Sequence, residues 1–85
     1  MPEISRCRGV VIAMYYNDHA PPHFHAKYGA FEITVGITDG VVDGRFPRRA
    51  LNLVLEWYSV NQAELLANWS LARERRPLRR IDPLE

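Results

Sequence analysis

At 85 residues the chain has room for one small domain, burying roughly 60–65% of the surface its unfolded form exposes. A net charge of +1 creates no bulk electrostatic demand for nucleic acid, and the single cysteine, Cys7, excludes an internal disulfide framework and favours a reducing, cytoplasmic setting. No apolar run approaches the ~20 residues of a membrane span, and Val10–Ala13 is too short for a signal-peptide core.

Gly9-Val10-Val11-Ile12-Ala13-Met14-Tyr15-Tyr16 is apolar at almost every position. It reads as a strand covered on both faces, and so as an interior one. Asn17-Asp18-His19-Ala20-Pro21-Pro22 follows as a stiff loop, because proline fixes φ and cannot donate to a ladder. Either proline bond could be cis, which sequence does not decide.

His23–Tyr28 and Phe31–Ile37 read as a hairpin turning at Gly29-Ala30. That turn sets a register in which Tyr28 faces Phe31, Lys27 faces Glu32, His25 faces Thr34 and His23 faces Gly36. Strand alternation then sorts the side chains. Phe24, Ala26, Tyr28, Phe31, Ile33 and Val35 share one face. His23, His25, Lys27, Glu32, Thr34 and Gly36 share the other. A slip of one residue would mix the sets.

Asp39-Gly40 and Asp43-Gly44 are turn signals, with Val41-Val42 between them as a short strand or bulged connection. Pro47 suits the start of a helix. Leu51, Val54, Leu55 and Tyr58 recur at helical spacing, and Trp57 widens the stripe. Asn61, with Glu64 three residues on, matches a capping box, with Val60 and Leu65 as its staple. The expectation is two helices, Pro47–Ser59 and Gln62–Arg75, the second carrying Leu65, Leu66, Trp69 and Ala72 inward. Pro77 stops it. The tail, with Leu78, Ile81 and Leu84, then packs on the body or adds a C-terminal edge strand.

The fold class that follows is α+β. A small antiparallel sheet of three to four strands precedes two helices packed on one face. The helices cover the Phe24/Ile33/Val35 face, which leaves the histidine face outward. If the tail does not cover the outer side of the first strand, a homodimer would.

All three histidines lie within seven residues, His19 to His25. On one strand His23 and His25 point the same way, with Cα atoms about 6.5–7 Å apart. Both could ligate one metal ion, with Asp18 and His19 closing over from the loop. Zinc accepts a nitrogen-rich set with one oxygen. The same cluster also suits proton transfer on a phosphodiester, since histidine donates and accepts protons near neutral pH. There His23 and His25 would work with Glu32, and Lys27 or an arginine would meet the phosphate. A purely structural role, in loop bonding and subunit contact, is the third reading. Among the cations, Arg75, Arg76, Arg79 and Arg80 are candidates for gripping RNA, DNA or a protein partner, with Lys27 on the sheet. The competing reading is a solvated helix end favoured by the helix dipole.

Asp18-His19-x-Pro21-Pro22-His23-Phe24-His25-Ala26-x-Tyr28-Gly29 anchors a wider pattern. Pro47-x-Arg49-Ala50-Leu51, Glu56-Trp57, Asn68-Trp69 and Pro77-Leu78-x-x-Ile81-x-Pro83-Leu84 extend it. Together they resemble the small prokaryotic family called domain of unknown function 4160. The resemblance carries no activity or residue role. It implies a component of a two-gene, toxin–antitoxin-like module with a neighbouring-gene protein as partner. The leading functional expectation is thus a partner- or nucleic-acid-binding protein. The alternative is a hydrolase or ribonuclease using His19, His23 and His25, with or without zinc.

Overall fold

The structure is a computed structural model that describes residues 2–84. Five strands and one helix follow in chain order: β1 (Glu3–Cys7), β2 (Val10–Ala13), β3 (His23–Tyr28), β4 (Phe31–Gly36), β5 (Val42–Arg45) and α1 (Arg48–Arg73). The strands form a single antiparallel sheet in sequential order, β1-β2-β3-β4-β5. This corrects the expected three to four strands followed by two helices.

The first strand missing from the sequence reading is β1. Its turn to β2 places Arg8 and Gly9 at φ 50° and 84°. That pair of positive φ values is the tight hairpin geometry, which an arginine in the first position disguises. At the far edge, Asp43-Gly44 is not a turn but part of β5. Gly44 holds φ 109°, and a Cβ there would lie 2.6 Å from the Glu32 carbonyl oxygen. Glycine serves close strand approach at this position, not chain reversal.

The β3–β4 hairpin has the register its turn dictates. His23 pairs with Gly36, Phe24 with Val35, His25 with Thr34, Ala26 with Ile33, Lys27 with Glu32 and Tyr28 with Phe31. Phe24, Ala26, Ile33 and Val35 are fully buried, and Phe24 meets Trp57 and Tyr58 of the helix at ring-centroid distances of 5.7 and 6.1 Å. Tyr28 and Phe31, nearest the turn, are exposed. Tyr28 lies against Phe46.

The expected helix break is a kink. Asn61 has φ −115° and ψ 19° inside α1. Its side chain does not start a new helix. Asn61 Nδ2 donates to the Trp57 carbonyl at 3.0 Å, and Val60 remains exposed. The kinked helix wraps the sheet, and Tyr58 Oη and Gln62 Nε2 both donate to the Ile37 carbonyl at 2.7 Å. Both halves contribute to the core, Val54 and Trp57 before the kink, Leu65, Trp69 and Ala72 after it, while Leu66, expected inward, is exposed.

The tail adds no strand. It runs extended between α1 and β1, with Ile81 buried and its N–H donating to Ile4 O at 2.8 Å. Trp57 Nε1 donates to Asp82 O at 2.9 Å. The buried Asn68 amide pairs with the backbone of Arg79 on both sides, Nδ2 to O and N–H to Oδ1, each at 2.9 Å. The tail thus lies away from the outer face of β2. There Ala13 is fully buried, and Tyr15 is covered by Lys27. No helix among the described residues is long and apolar enough to cross a membrane.

Two predictions follow from the tail's anchorage. Asn68→Ala should cost about 2 kcal/mol in urea unfolding, because two backbone groups lose their partners. The tail of that variant should also be cut faster by protease. Glu3 holds Arg6 Nη2 at 2.7 Å and Arg80 Nη1 at 3.0 Å. The hydrogen bond from Arg6, then that from Arg80, lowers the Glu3 carboxyl from 4.5 to about 2. A depressed carboxylate contributes stability above its unfolded value and loses it as pH falls through the folded one. Thermal melts should therefore show the wild type's advantage over Glu3→Gln present at pH 6 and shrinking from pH 4.5 towards 2.

Candidate active site

β3 supplies two of the three side chains that meet on the outer face. Its apolar residues are drawn under the helix, so His23 and His25 project to the other side, both half-buried. The loop before β3 supplies the third. Its exit is fixed where Ile37 N–H donates to Pro22 O at 2.9 Å. The Ala20–Pro21 peptide is cis. Asp18 on this loop turns its carboxylate onto both rings.

One oxygen serves both histidines. Asp18 Oδ2 is 3.0 Å from His23 Nε2 and 2.9 Å from His25 Nε2. The opposite ring nitrogens are also engaged. His23 Nδ1 lies 2.8 Å from Pro21 O, so it carries the hydrogen and donates. His25 Nδ1 lies 3.1 Å from Glu32 Oε2. Glu32 faces Lys27 across the hairpin and reaches the diagonal neighbour on its own face.

Aromatic rings hold the imidazoles in place. His23 packs against Trp69 with centroids 5.3 Å apart, and His25 meets Tyr15 edge-on at 4.6 Å. Lys27 Nζ sits 5.7 Å from the Tyr15 ring centre. The Tyr15 hydroxyl, more than Glu32, raises the Lys27 ammonium above its ordinary range.

The group opens into a cleft of about 400 Å³ lined by Asp18, His19, His23, His25, Thr34, Gly36, Asp39 and Asp43, among others. Asp18, His23 and His25 offer ligand atoms within 4.8 Å of one another. His19 stands apart from them. It is exposed on the cleft wall, and its ring centroid is 6.1 Å from that of His23.

Three of the four C-terminal cations have side-chain partners of their own. Arg75 donates to Asn17 Oδ1 at 3.3 Å, Arg76 pairs with Glu74, and Arg80 pairs with Glu3. Arg79 is exposed and engages Asn68 through its backbone. None of them lines the cleft. Sequence reasoning missed Pro21 O as the partner of His23, and Asp39 and Asp43 as lining residues. The two aspartates carried a signal only as neighbours of glycine, and so read as turns.

A β-meander with one helix across its back, bearing an aspartate–histidine cluster on its open face, is the class that fold and site define. Residues 9–70 of the 85 match the family described as Domain of unknown function (DUF4160), and the chain belongs to that family. No curated protein and no solved structure matches it.

The three histidines differ in what they support, and denaturation separates them. His19→Ala should change the urea unfolding free energy by less than about 0.5 kcal/mol, as expected for an exposed side chain. His23→Ala should cost about 1–3 kcal/mol, losing the Pro21 hydrogen bond and the Trp69 contact.

Proposed function

We propose that this chain is a hydrolase whose working group is Asp18, His23 and His25. The observation that carries the reading is convergence. A loop carboxylate and two strand imidazoles meet at one oxygen, with contacts of 2.9 and 3.0 Å, in an open cleft on the outer face of the sheet. Such a cluster activates water either by direct proton transfer or by holding a cation that does so. The rings are braced by Trp69 and Tyr15, and that rigidity is what a catalytic constellation requires.

Charge in the cleft favours a class of substrate. Asp18, Asp39 and Asp43 line it, and no lysine or arginine does. An uncharged acyl ester or amide enters such a cleft at lower electrostatic cost than a phosphodiester. The acyl reading is therefore preferred here to a ribonuclease. A nucleic-acid- or partner-binding role in a two-gene module draws less support, because three of the four arginines it would use engage separate acceptors. The family match brings no partner with it.

The test compares p-nitrophenyl acetate with bis(p-nitrophenyl) phosphate, using untagged protein in buffer supplied with divalent metals. The acetate should be hydrolysed faster than the phosphate diester. His25→Ala, with an unchanged circular dichroism spectrum, should lose about 100-fold or more of that rate. Failure to turn over either ester, or full activity in His25→Ala, removes the hydrolase reading.

A further inference from the structure

The geometry points to a centre for one divalent transition-metal ion, with His23 Nε2, His25 Nε2 and Asp18 Oδ2 as its protein ligands. The inference uses the side chains of the hydrolase reading but rests on a separate argument, a count of hydrogens. Each neutral imidazole carries one N–H and one bare nitrogen. The two rings present four nitrogens, and all four face atoms that only accept: Pro21 O, Glu32 Oε2 and, twice, Asp18 Oδ2. Two neutral rings supply two hydrogens for these four contacts.

The two hydrogens have natural places. A carbonyl fixes one on His23 Nδ1, and the Glu32 carboxylate draws the other to His25 Nδ1. Both Nε2 lone pairs are then aimed at Asp18 Oδ2, itself a lone-pair donor. Three electron-rich atoms facing one another call for a positive centre among them. One metal ion placed among Asp18 Oδ2 and the two Nε2 atoms meets all three lone pairs at a single point.

Other features agree with the ion. Ligating histidines commonly donate the second ring N–H to a carboxylate or a backbone carbonyl. Here His25 has the carboxylate and His23 the carbonyl. Zinc bonds of about 2.0–2.1 Å place tetrahedral ligand atoms roughly 3.3 Å apart. The nitrogen–oxygen separations of 2.9 and 3.0 Å reach that value by an outward shift of a few tenths of an ångström. Two nitrogens and one oxygen are a borderline donor set suited to zinc. Three protein ligands leave a coordination position free, and the cleft gives room for water or substrate there. The same count bears on mechanism. With both nitrogens of each ring committed, neither imidazole is free to take a proton from water directly. The expected set of Asp18, His19, His23 and His25 contracts to three, because His19 lies outside the donor group.

Zinc titration of untagged, chelator-stripped protein tests the centre directly. One Zn²⁺ should bind per chain in competition with a chromogenic zinc indicator. Co²⁺ in its place should give visible ligand-field bands and quench emission from Trp69, whose ring lies 5.3 Å from that of His23. Glu32→Gln, a change at an exposed side chain outside the ligand set, should keep the stoichiometry and weaken affinity about 10–100-fold. His25→Ala should lose the ion; if it does not fold, Asp18→Asn decides in the same way. No zinc binding by the wild type, or an unchanged titration after either ligand substitution, overturns the centre. Bound zinc without ester hydrolysis would keep the centre and remove the hydrolase. Hydrolysis undiminished in chelator would do the reverse.

Discussion

The two-residue period of β3 is the constraint on which the rest depends. Phe24 and Ala26 are completely buried under the helix, so His23 and His25 have only the other side available. A slip of one residue would drive two imidazoles into the core and expose a phenylalanine. Burying a phenylalanine gains roughly 1.5–3 kcal/mol, so the apolar face holds the polar one in place. The histidines owe their common direction to residues that take no part in their chemistry.

The second determinant is a loop that cannot wander. Pro21 and Pro22 restrict its backbone, and the Pro22 carbonyl is fastened to Ile37 N–H where β4 ends. The Pro21 carbonyl is fastened to His23. The segment that orients the histidine therefore also carries Asp18 back over the strand. Trp69, placed by the second half of the kinked helix, closes His23 from a third direction. The far end of α1 thus supports the site without entering the donor group.

Local pairing was legible in the sequence, while distant packing was not. Gly29-Ala30 and the alternation around it specify the β3–β4 register pair by pair, and with it the company of His23, His25 and Glu32. Asp18 was legible as a loop neighbour, though not its choice of one oxygen for two rings. The first strand was hidden because Arg8 occupies a positive-φ position where glycine or asparagine usually signals a turn. The fifth was hidden because Asp43-Gly44 spells a reversal, and only the nearness of the Glu32 carbonyl explains the glycine. Asn61 disturbs the helix where the capping pattern places a break. Tertiary bonds on both sides of it, from Tyr58 and Gln62 to Ile37, carry the helix through. The arginines beyond Arg73 look like one basic run, yet in the folded chain Arg75, Arg76 and Arg80 engage Asn17, Glu74 and Glu3 separately.

That dispersal changes the balance between the two functional readings. A basic run in sequence suggests a partner by its summed charge, but a surface acts through charges that face the same way. Here the cations are divided among separate acceptors, whereas the imidazoles and the carboxylate converge on one point. Convergent polar groups that lack enough hydrogens for their contacts are costly, and a fold keeps them only where something answers the deficit. The ion we propose in the cleft would answer it, with Pro21 O and Glu32 as the outer partners that set each ring's tautomer. Acid and imidazole are gathered along the cleft, while Arg75, Arg76 and Arg80 engage acceptors at the tail and the helix end.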